Sequence, residues 1–306
     1  MVQPDIRSFR ATLREMVREL GMLSRKASGT ELSPLQSHIL IELSNHPEGC
    51  TELASKLCVE KASMSRTLKN LSDEGYLLKE NDARDGRASQ YRLSDAGRQL
   101  LSKLEENADR FAMDALASSS EEEIQILRQS LLHFTGSLRN ARRQRESNIN
   151  IRRLQSEDNA AIAEIIRNSF RENKIDHLEG VSLHDPELDS LSEAYKQSGA
   201  GYWVVEANGM IVGGAGLAPL GGEAGICEMQ KLFFKSEVQG MGLGRRTIAF
   251  ILSQASEMGY HACYLETLTA LKHAVRLYEA FGFKHIPARL GNTGHGSCDI
   301  YMLKKL

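Results

Sequence analysis

The sequence has few prolines, few aromatic residues and no long apolar stretch. It contains 6 prolines and 1 tryptophan among 306 residues, and aromatic residues make up 6% of it. No apolar run approaches the roughly 18 residues that a membrane-spanning helix needs, and charges interrupt residues 1–10, where a secretory signal would be apolar. We therefore expect a cytoplasmic protein with no membrane partner.

The cysteines are too few and too scattered for a disulfide framework. The sequence has 5 of them, an odd number, and none forms a Cys-x-x-Cys pair. Its 9 histidines likewise show no spacing typical of a metal site. We therefore expect reduced, mostly buried thiols and no metal.

No charge of one sign dominates the chain. Lys and Arg number 38 against 40 Asp and Glu, which gives a net charge of −2. This balance argues against strong non-specific binding to nucleic acid, so any functional field must be local. The length is enough for about two domains. We predict one domain over residues 1–146 and a second over residues 149–306, joined by a short polar linker.

The first half of the chain is predicted to consist mainly of helices. A Ser-Pro-x-Gln capping box at residues 33–36 starts one helix, and Thr51 is placed to cap a short one. After a tight turn we predict another helix over residues 62–74, ended by Gly75. Two helices joined by so short a turn indicate a helix-turn-helix.

A β-hairpin is predicted directly after the helix-turn-helix. Extended segments at residues 76–80 and 88–93 flank a polar, charged stretch, which is the pattern of a wing. Arg84 and Arg87 lie at its predicted tip, where guanidinium groups can hold phosphates or enter a minor groove.

Apolar and polar residues separate onto opposite sides of the predicted helix 62–74. At about 100° per residue, Met64, Leu68 and Leu71 share one side. The other side offers hydroxyl, guanidinium, ammonium and amide groups, which read base edges and bind phosphates in a major groove. These groups belong to Ser63, Ser65, Arg66, Lys69 and Asn70. A solvated helix face is the alternative interpretation.

Two long helices are predicted to complete the first half. Ser94 caps the first, and a Ser-x-x-Glu box at residues 120–123 caps the second. The apolar residues of the second have the spacing of helices that pack lengthwise against a partner. Arginines between residues 139 and 145 lie at its carboxyl end, where cations favour the helix dipole.

The wing sequence DARDGR at residues 82–87 and the segment LSDAGR at residues 93–98 resemble motifs of the MarR family of winged-helix regulators. The resemblance covers about residues 5–145. It implies a mainly α-helical winged helix-turn-helix domain that dimerises through its first and last helices. Such a homodimer binds palindromic double-stranded DNA with its recognition helices roughly 34 Å apart. It also implies a response to a small ligand, which no residue identifies.

Strands and helices alternate in the second half. This pattern predicts an α/β or α+β domain with a mixed sheet. We predict strands at residues 151–154, 202–206, 210–217, 226–234, 262–266 and 299–303, and helices at residues 159–170, 244–258 and 270–281.

A glycine-rich segment, QGMGLGRR at residues 239–246, lies between a predicted strand and a predicted helix. Glycines at such a junction let backbone amides approach a phosphate at the helix amino terminus. The segment is no Walker loop, because it lacks Gly-Lys-Ser/Thr. A Rossmann fold does not fit either, since the segment comes late in its domain, after a hairpin.

This segment and AVRLYEAFGF at residues 274–283 resemble the two signatures of the GNAT superfamily of acetyl-CoA-dependent N-acetyltransferases. The resemblance spans about residues 149–306 and implies the GNAT fold, an α/β fold with a mixed, mostly antiparallel sheet. Acetyl-CoA is the implied cosubstrate. One departure is Leu271, where many members have an Asn that contacts the cofactor.

The GNAT resemblance also implies which residues bind acetyl-CoA. The backbone of Leu232, Phe233 and Phe234 pairs with the pantetheine arm like an added strand. The pyrophosphate is held by backbone amides of the glycine-rich segment, with Arg245 as a further contact. These amides belong to Gln239, Gly240, Met241, Gly242, Leu243 and Gly244.

Acetyl transfer to an amine requires a base and an exit for the thiolate. A primary amine with a pKa near 10.4 is almost wholly protonated at pH 7. Glu228 is our candidate base, with an exposed strand carboxylate as the alternative interpretation. Tyr278 is at the family's general-acid position and would protonate the CoA thiolate. Packing beside Phe281 is the alternative interpretation of Tyr278.

Residues 171–195 are expected to shape the acceptor site.

The sequence therefore predicts a bifunctional chain, a transcriptional regulator joined to an N-acetyltransferase. The acceptor is expected to be a small amine or an amino acid, with a protein lysine as a further possibility. In one alternative, the second half is a catalytically silent acetyl-CoA sensor that adjusts DNA affinity. In another, the first half is only a dimerisation module.

Overall fold

The computed structural model describes residues 5–23, 29–81, 89–291, 293 and 296–306. The chain divides into two compact units, Met1–Ile126 and Leu127–Leu306. The division falls within a helix, Glu121–Glu146, which is α6 in chain order. Most of α6, from Leu127 to Glu146, therefore belongs to the second compact unit, and the predicted linker follows this helix.

The first unit is a helical domain with a small antiparallel sheet. Its strands pair in the order β1-β3-β2. The second and third form the wing that we predicted after the helix-turn-helix. The elements are α1 (Ile6–Glu19), α2 (Pro34–Leu43), β1 (Glu48–Gly49), α3 (Cys50–Lys56), α4 (Lys61–Asp73), β2 (Leu77–Asn81), β3 (Ser89–Leu93), α5 (Asp95–Leu116) and the start of α6.

Side-chain caps fix where the helices of the first unit begin. The capping box of α2 is confirmed, because the Ser33 N–H donates to Gln36 Oε1 at 2.8 Å and the Gln36 N–H donates to Ser33 Oγ at 3.3 Å. The predicted cap at Thr51 is wrong. Helix α3 begins two residues earlier than that cap requires, with Gly49 as its N-cap, and Glu52 Oε2 accepts the Gly49 N–H at 3.0 Å.

The apolar side of α4 forms part of the core of the first unit. Met64, Leu68 and Leu71 are fully buried and pack with residues of α2 and α3. Burial on that side leaves the opposite side of the helix to solvent, which is the division that the sequence predicts.

The second unit is built on a seven-stranded sheet in the order β4-β5-β6-β7-β8-β10-β9. Every neighbouring pair is antiparallel except β7 and β8, which are parallel. The strands are β4 (Asn150–Arg153), β5 (Gly201–Ala207), β6 (Met210–Pro219), β7 (Ile226–Phe234), β8 (Ala262–Thr267), β9 (Lys284–His285) and β10 (Ile300–Lys305). The predicted mixed, mostly antiparallel sheet is confirmed.

Helices cover both faces of this sheet. They are α7 (Asn159–Glu172), α8 (Leu191–Ala194), α9 (Leu243–Glu257) and α10 (Lys272–Ala280). Buried residues of α7 pack with Tyr202, Val204 and Ala218 on one face. Those of α9 and α10 pack with Cys227 and Cys263 on the other face, because successive residues of a strand point to opposite sides.

Helix α5 approaches the start of the wing closely at Gly97, in its first turn, so a substitution of this glycine tests that approach. A Cβ added there would lie 2.2 Å from the Tyr76 carbonyl oxygen, which is held in place by accepting the Ser94 N–H at 3.0 Å. We expect Gly97→Ala to lower the free energy of unfolding by about 1–3 kcal/mol, measured by urea denaturation.

Gly136→Ala is the matched control. Gly136 also lies in a helix, and an added Cβ would meet no atom within 4 Å. There the substitution should raise stability by up to about 1 kcal/mol, since alanine favours the helix. Equal effects of the two substitutions would contradict the close approach.

Candidate functional site

A gap opens between β7 and β8 near the middle of the larger sheet. The two strands pair in parallel from Ile226 opposite Ala262 to Glu228 opposite Tyr264. Beyond this point β7 continues to Phe234 and β8 to Thr267, but their pairing has ended. The backbone of β7 past Glu228 therefore pairs with β6 on one side and faces the gap on the other.

A β-bulge in β7 accompanies this separation. The register with β6 shifts between Gly216, opposite Gln230, and Gly214, opposite Phe233. Lys231 within the bulge has a φ of 49°. The Tyr202 hydroxyl donates to the Lys231 carbonyl at 3.0 Å in a buried hydrogen bond. This bond fixes the bulge, which turns side chains away from the regular alternation of the strand.

The Lys231 side chain is buried and ion-paired. Only 3% of it is exposed, and its ammonium lies beside the carboxylate of Asp185 and 3.7 Å from that of Glu187. Both acids lie in the loop between the 3₁₀ turns Ser182–His184 and Leu188–Ser190. The ion pairs attach this loop to the bulge. The loop is part of the segment predicted to shape an acceptor site.

Glu228 is buried on the sheet face that carries α7. It is 4% exposed, so the alternative of an exposed strand carboxylate is wrong. Gln230 Nε2 donates to Glu228 Oε2, and the Tyr195 hydroxyl donates to Gln230 Oε1 at 2.7 Å. This chain of hydrogen bonds holds the carboxylate at the point where β7 and β8 separate.

A second buried carboxylate, Glu266 on β8, was not predicted from the sequence. Its side chain is 1% exposed, and its Oε1 accepts hydrogen bonds from the Tyr264 and Thr293 hydroxyls, each at 2.8 Å. Arg289 Nε lies 3.1 Å from the same oxygen. Among the described residues, Oε2 has no hydrogen-bond partner. Strand alternation puts Tyr264 and Glu266 on one face, which was the signal available in the sequence.

Tyr278 lies on the opposite face, among the residues that α9 and α10 cover. It is 7% exposed, and its ring packs edge-on against Phe283 at a centroid distance of 6.0 Å. Burial, and to a smaller extent the nearby Cys263 thiol, raises the pKa of Tyr278 above its usual range. The phenol is therefore protonated at neutral pH.

The glycine-rich segment forms a loop in which several N–H groups find no acceptor among the described residues. Gly240 and Gly242 have φ values of 75° and 74°, which favour glycine. Within the described chain, no acceptor is found for the N–H groups of Gly240, Gly242, Leu243, Gly244 and Arg245. The amides of Gln239 and Met241 are already bonded to Ser236 and Val238, which corrects the prediction that they too are available. The remaining N–H groups at the start of α9 suit an anion.

The other residues predicted for this site lie beside the gap or the loop. Phe233 and Phe234 pair with Gly214 and Gly213 of β6, and Leu232 packs against the α9 side of the sheet. The Arg245 guanidinium stacks over the Phe281 ring, with 5.2 Å from its central carbon to the ring centroid.

Five of the seven residues predicted to contact DNA lie along α4. Ser65, Arg66, Lys69 and Asn70 are exposed, and Ser63 is half-buried. Arg66 and Lys69 form no ion pair with any residue that the structure describes. The other two predicted contacts, Arg84 and Arg87, lie outside the described residues.

Two absences hold for the described part of the chain. No group of three or more His, Cys, Asp or Glu side chains in it is arranged to hold a metal ion. None of its helices combines the length and the apolar character needed to cross a membrane.

Comparisons with known proteins match each half of the chain separately. Residues 160–283 match the Acetyltransferase (GNAT) family, and residues 32–89 match the MarR family. The uncharacterized N-acetyltransferase YjgM of Escherichia coli is 46% identical over 157 residues, which cover 51% of this chain and 94% of that protein. The uncharacterized HTH-type transcriptional regulator YdgJ of Bacillus subtilis is 28% identical over 90 residues, covering 29% of this chain and 55% of YdgJ.

Solved structures resemble the second half. A GNAT-family acetyltransferase from Staphylococcus aureus Mu50 is 21% identical, with a TM-score of 0.46, covering 51% of this chain and 98% of that one.

A substitution of Lys231 tests whether its ion pairs with Asp185 and Glu187 stabilise the bulge. We expect Lys231→Met to lower the free energy of unfolding by about 1–3 kcal/mol, because Asp185 and Glu187 lose their shared cation. The loss should stay below that of a fully buried pair, since Glu187 is 41% exposed. Urea denaturation measures it. Lys235→Met, at an exposed position just past the same strand, is the control and should change stability little. A Lys231 variant as stable as this control would contradict the structural role of the ion pairs.

Proposed function

Since the chain belongs to the GNAT family of acetyl-CoA-dependent N-acetyltransferases and carries a MarR-family region ahead of it, we propose that it is bifunctional. In this proposal it acetylates a primary amine of a small molecule or amino acid, and it also binds DNA as a transcriptional regulator.

The observation that carries the acetyltransferase proposal is the row of unpaired N–H groups beside the gap in the sheet. The amides of Gly240, Gly242 and the first turn of α9 can hold the pyrophosphate of acetyl-CoA. The edge of β7 over Leu232–Phe234 can pair with the pantetheine arm. Acetyl-CoA supplies the acetyl thioester, and this chain's residues bind it and move the protons.

The two candidate catalytic groups lie on opposite faces of the sheet at the gap. Glu228, on the α7 face, would take a proton from the acceptor ammonium, directly or through a water. The neutral amine nitrogen then forms a bond to the acetyl carbon as the carbon–sulfur bond breaks. Tyr278, on the other face, would give its proton to the departing thiolate. The raised pKa of Tyr278 suits this role, because the phenol keeps its proton until the thiolate forms.

The charge around Glu228 supports a cationic acceptor. Glu266 is buried nearby on β8, and its Oε2 can accept a hydrogen bond from an ammonium. The nearby cations Lys231 and Arg289 are already paired with acids. A site with this balance attracts a protonated amine and disfavours an anion.

DNA binding is proposed for α4 and the wing. The exposed Arg66 and Lys69 can neutralise phosphates, while Ser63, Ser65 and Asn70 can contact base edges. Arg84 and Arg87 are included on the basis of the wing motif.

We also propose a homodimer on a palindromic site. Exposed apolar side chains support it. They are Ile6, Phe9, Met16 and Val17 on α1, Leu20 at its C-cap, and Leu127, Leu131, Leu132 and Leu138 on α6.

The acetyltransferase activity is tested by CoA release from acetyl-CoA with a panel of amines, amino acids and a lysine peptide. We expect Tyr278→Phe to lower kcat by about 10²-fold or more with little change in the KM for acetyl-CoA, because it removes a proton donor. Glu228→Gln should lower kcat similarly. Wild-type activity should show no loss attributable to Tyr278 below about pH 10, since its pKa is raised.

Glu266→Gln is the matched control for Glu228→Gln. If Glu266 only holds the acceptor, its variant should raise the KM for the amine and spare kcat. The opposite pattern in the two variants would transfer the base role to Glu266. Absence of any acceptor-dependent CoA release, together with a change in DNA affinity on adding acetyl-CoA, would favour a silent sensor instead.

DNA binding is tested with fragments selected from genomic DNA, by fluorescence anisotropy at several salt concentrations. We expect the double variant Arg66→Ala/Lys69→Ala to weaken binding and to reduce the slope of log K against log salt by about 4, because each protomer of the homodimer loses two phosphate contacts. Lys103→Ala/Arg110→Ala removes the same charge from exposed positions of α5 and should leave the slope unchanged. If no salt-dependent specific site is found for the wild type, the regulator proposal is wrong.

A further inference from the structure

The carboxyl end of α6 lies against the glycine-rich loop. Gln144 Nε2 donates to the Met241 carbonyl at 2.8 Å, and Gln144 Oε1 accepts from Arg246 Nη1 at 3.3 Å. The side-chain amide thus joins the loop to the first turn of α9. Gln144 lies outside residues 160–283, the region that matches the acetyltransferase family.

A hydrogen bond to the Met241 carbonyl also determines where the next N–H points. The peptide unit is planar and trans, so its carbonyl and its N–H point in opposite directions. With the Met241 oxygen directed at α6, the Gly242 N–H is directed away from α6. That N–H is among those with no acceptor in the described residues.

Asn140, one turn earlier in α6, also lies close to the loop. A Cβ added to Gly242 would lie 3.0 Å from Asn140 Nδ2 and 3.3 Å from Asn140 Cβ. Only glycine combines this approach with a φ of 74°. Below the loop, Ile149 and Met241 pack in one apolar cluster with Leu243, so the turn after α6 is also attached to the site.

We propose that Gln144 is a positioning residue for the acetyl-CoA site: it holds the Met241–Gly242 peptide so that the Gly242 N–H is aimed at the pyrophosphate. The inference rests on the proposed use of the loop for that group. It assigns part of the cofactor site to the helix that precedes the acetyltransferase fold. A helix residue would then set the affinity for a ligand that it does not touch.

Gln144→Met tests the inference without changing charge, length or helix propensity greatly. Loss of one hydrogen bond in the loop should weaken CoA binding by about three- to tenfold, measured by calorimetry on the full chain. In the wild type, CoA should shift the Gly242 amide proton downfield in the nitrogen-15 correlation spectrum, and the variant should lose most of that shift. Gln125→Met, at an exposed position of the same helix, is the control and should match the wild type in both measurements.

The outcomes separate this inference from the proposed function. If the wild type does not bind CoA, the acetyl-CoA site itself is wrong. If the wild type binds and Gln144→Met binds equally well with the same Gly242 shift, Gln144 has no positioning role. A weaker affinity with an unchanged Gly242 shift and a lower unfolding midpoint would also overturn the inference, because the effect would then be one of stability alone.

Discussion

The bulge at Lys231 is the constraint on which the rest of the acetyltransferase site depends. A parallel pair of strands would ordinarily continue its hydrogen bonds along its length, and the backbone of β7 would then have no free edge. Here the Tyr202 hydroxyl holds the Lys231 carbonyl, and the register shift carries β7 away from β8. The separation creates the gap and leaves β7 an edge that, in our proposal, pairs with the pantetheine arm. It also places Glu228 where the pairing of β7 and β8 ends.

The separation also accounts for the placement of the two groups that we propose to transfer protons, which lie on opposite faces of the sheet. Strand alternation sends Glu228 to the α7 face, while Tyr278 comes from a helix on the other face. The α7 face holds two sets of hydrogen bonds, one around Glu228 and one around Glu266, and the other face is largely apolar. Burial has different consequences on the two sides: the acids require partners, whereas the phenol keeps its proton.

Much of the architecture follows from local patterns in the sequence. The bounds predicted for β7, residues 226–234, are those of the structure, because a glycine-containing turn and the glycine-rich loop delimit an apolar run. Met64, Leu68 and Leu71 are buried as their spacing predicts. Thr51 failed as a cap because the Glu52 side chain satisfies an earlier N–H, a competition between neighbours that a single-residue rule does not weigh.

The amino-acid sequence by itself indicated the GNAT family and the resemblance to MarR regulators, most of the order of helices and strands, and the glycine-rich loop, because these depend on patterns within a few residues. Only the tertiary structure decided that Glu228 and Glu266 are both buried. It also decided that Gln144 donates a hydrogen bond to Met241, 97 positions away in the chain. Residues so far apart in sequence come together only when sheet order and helix packing are fixed. Burial, pairing and the direction of a single peptide are therefore properties of the folded chain.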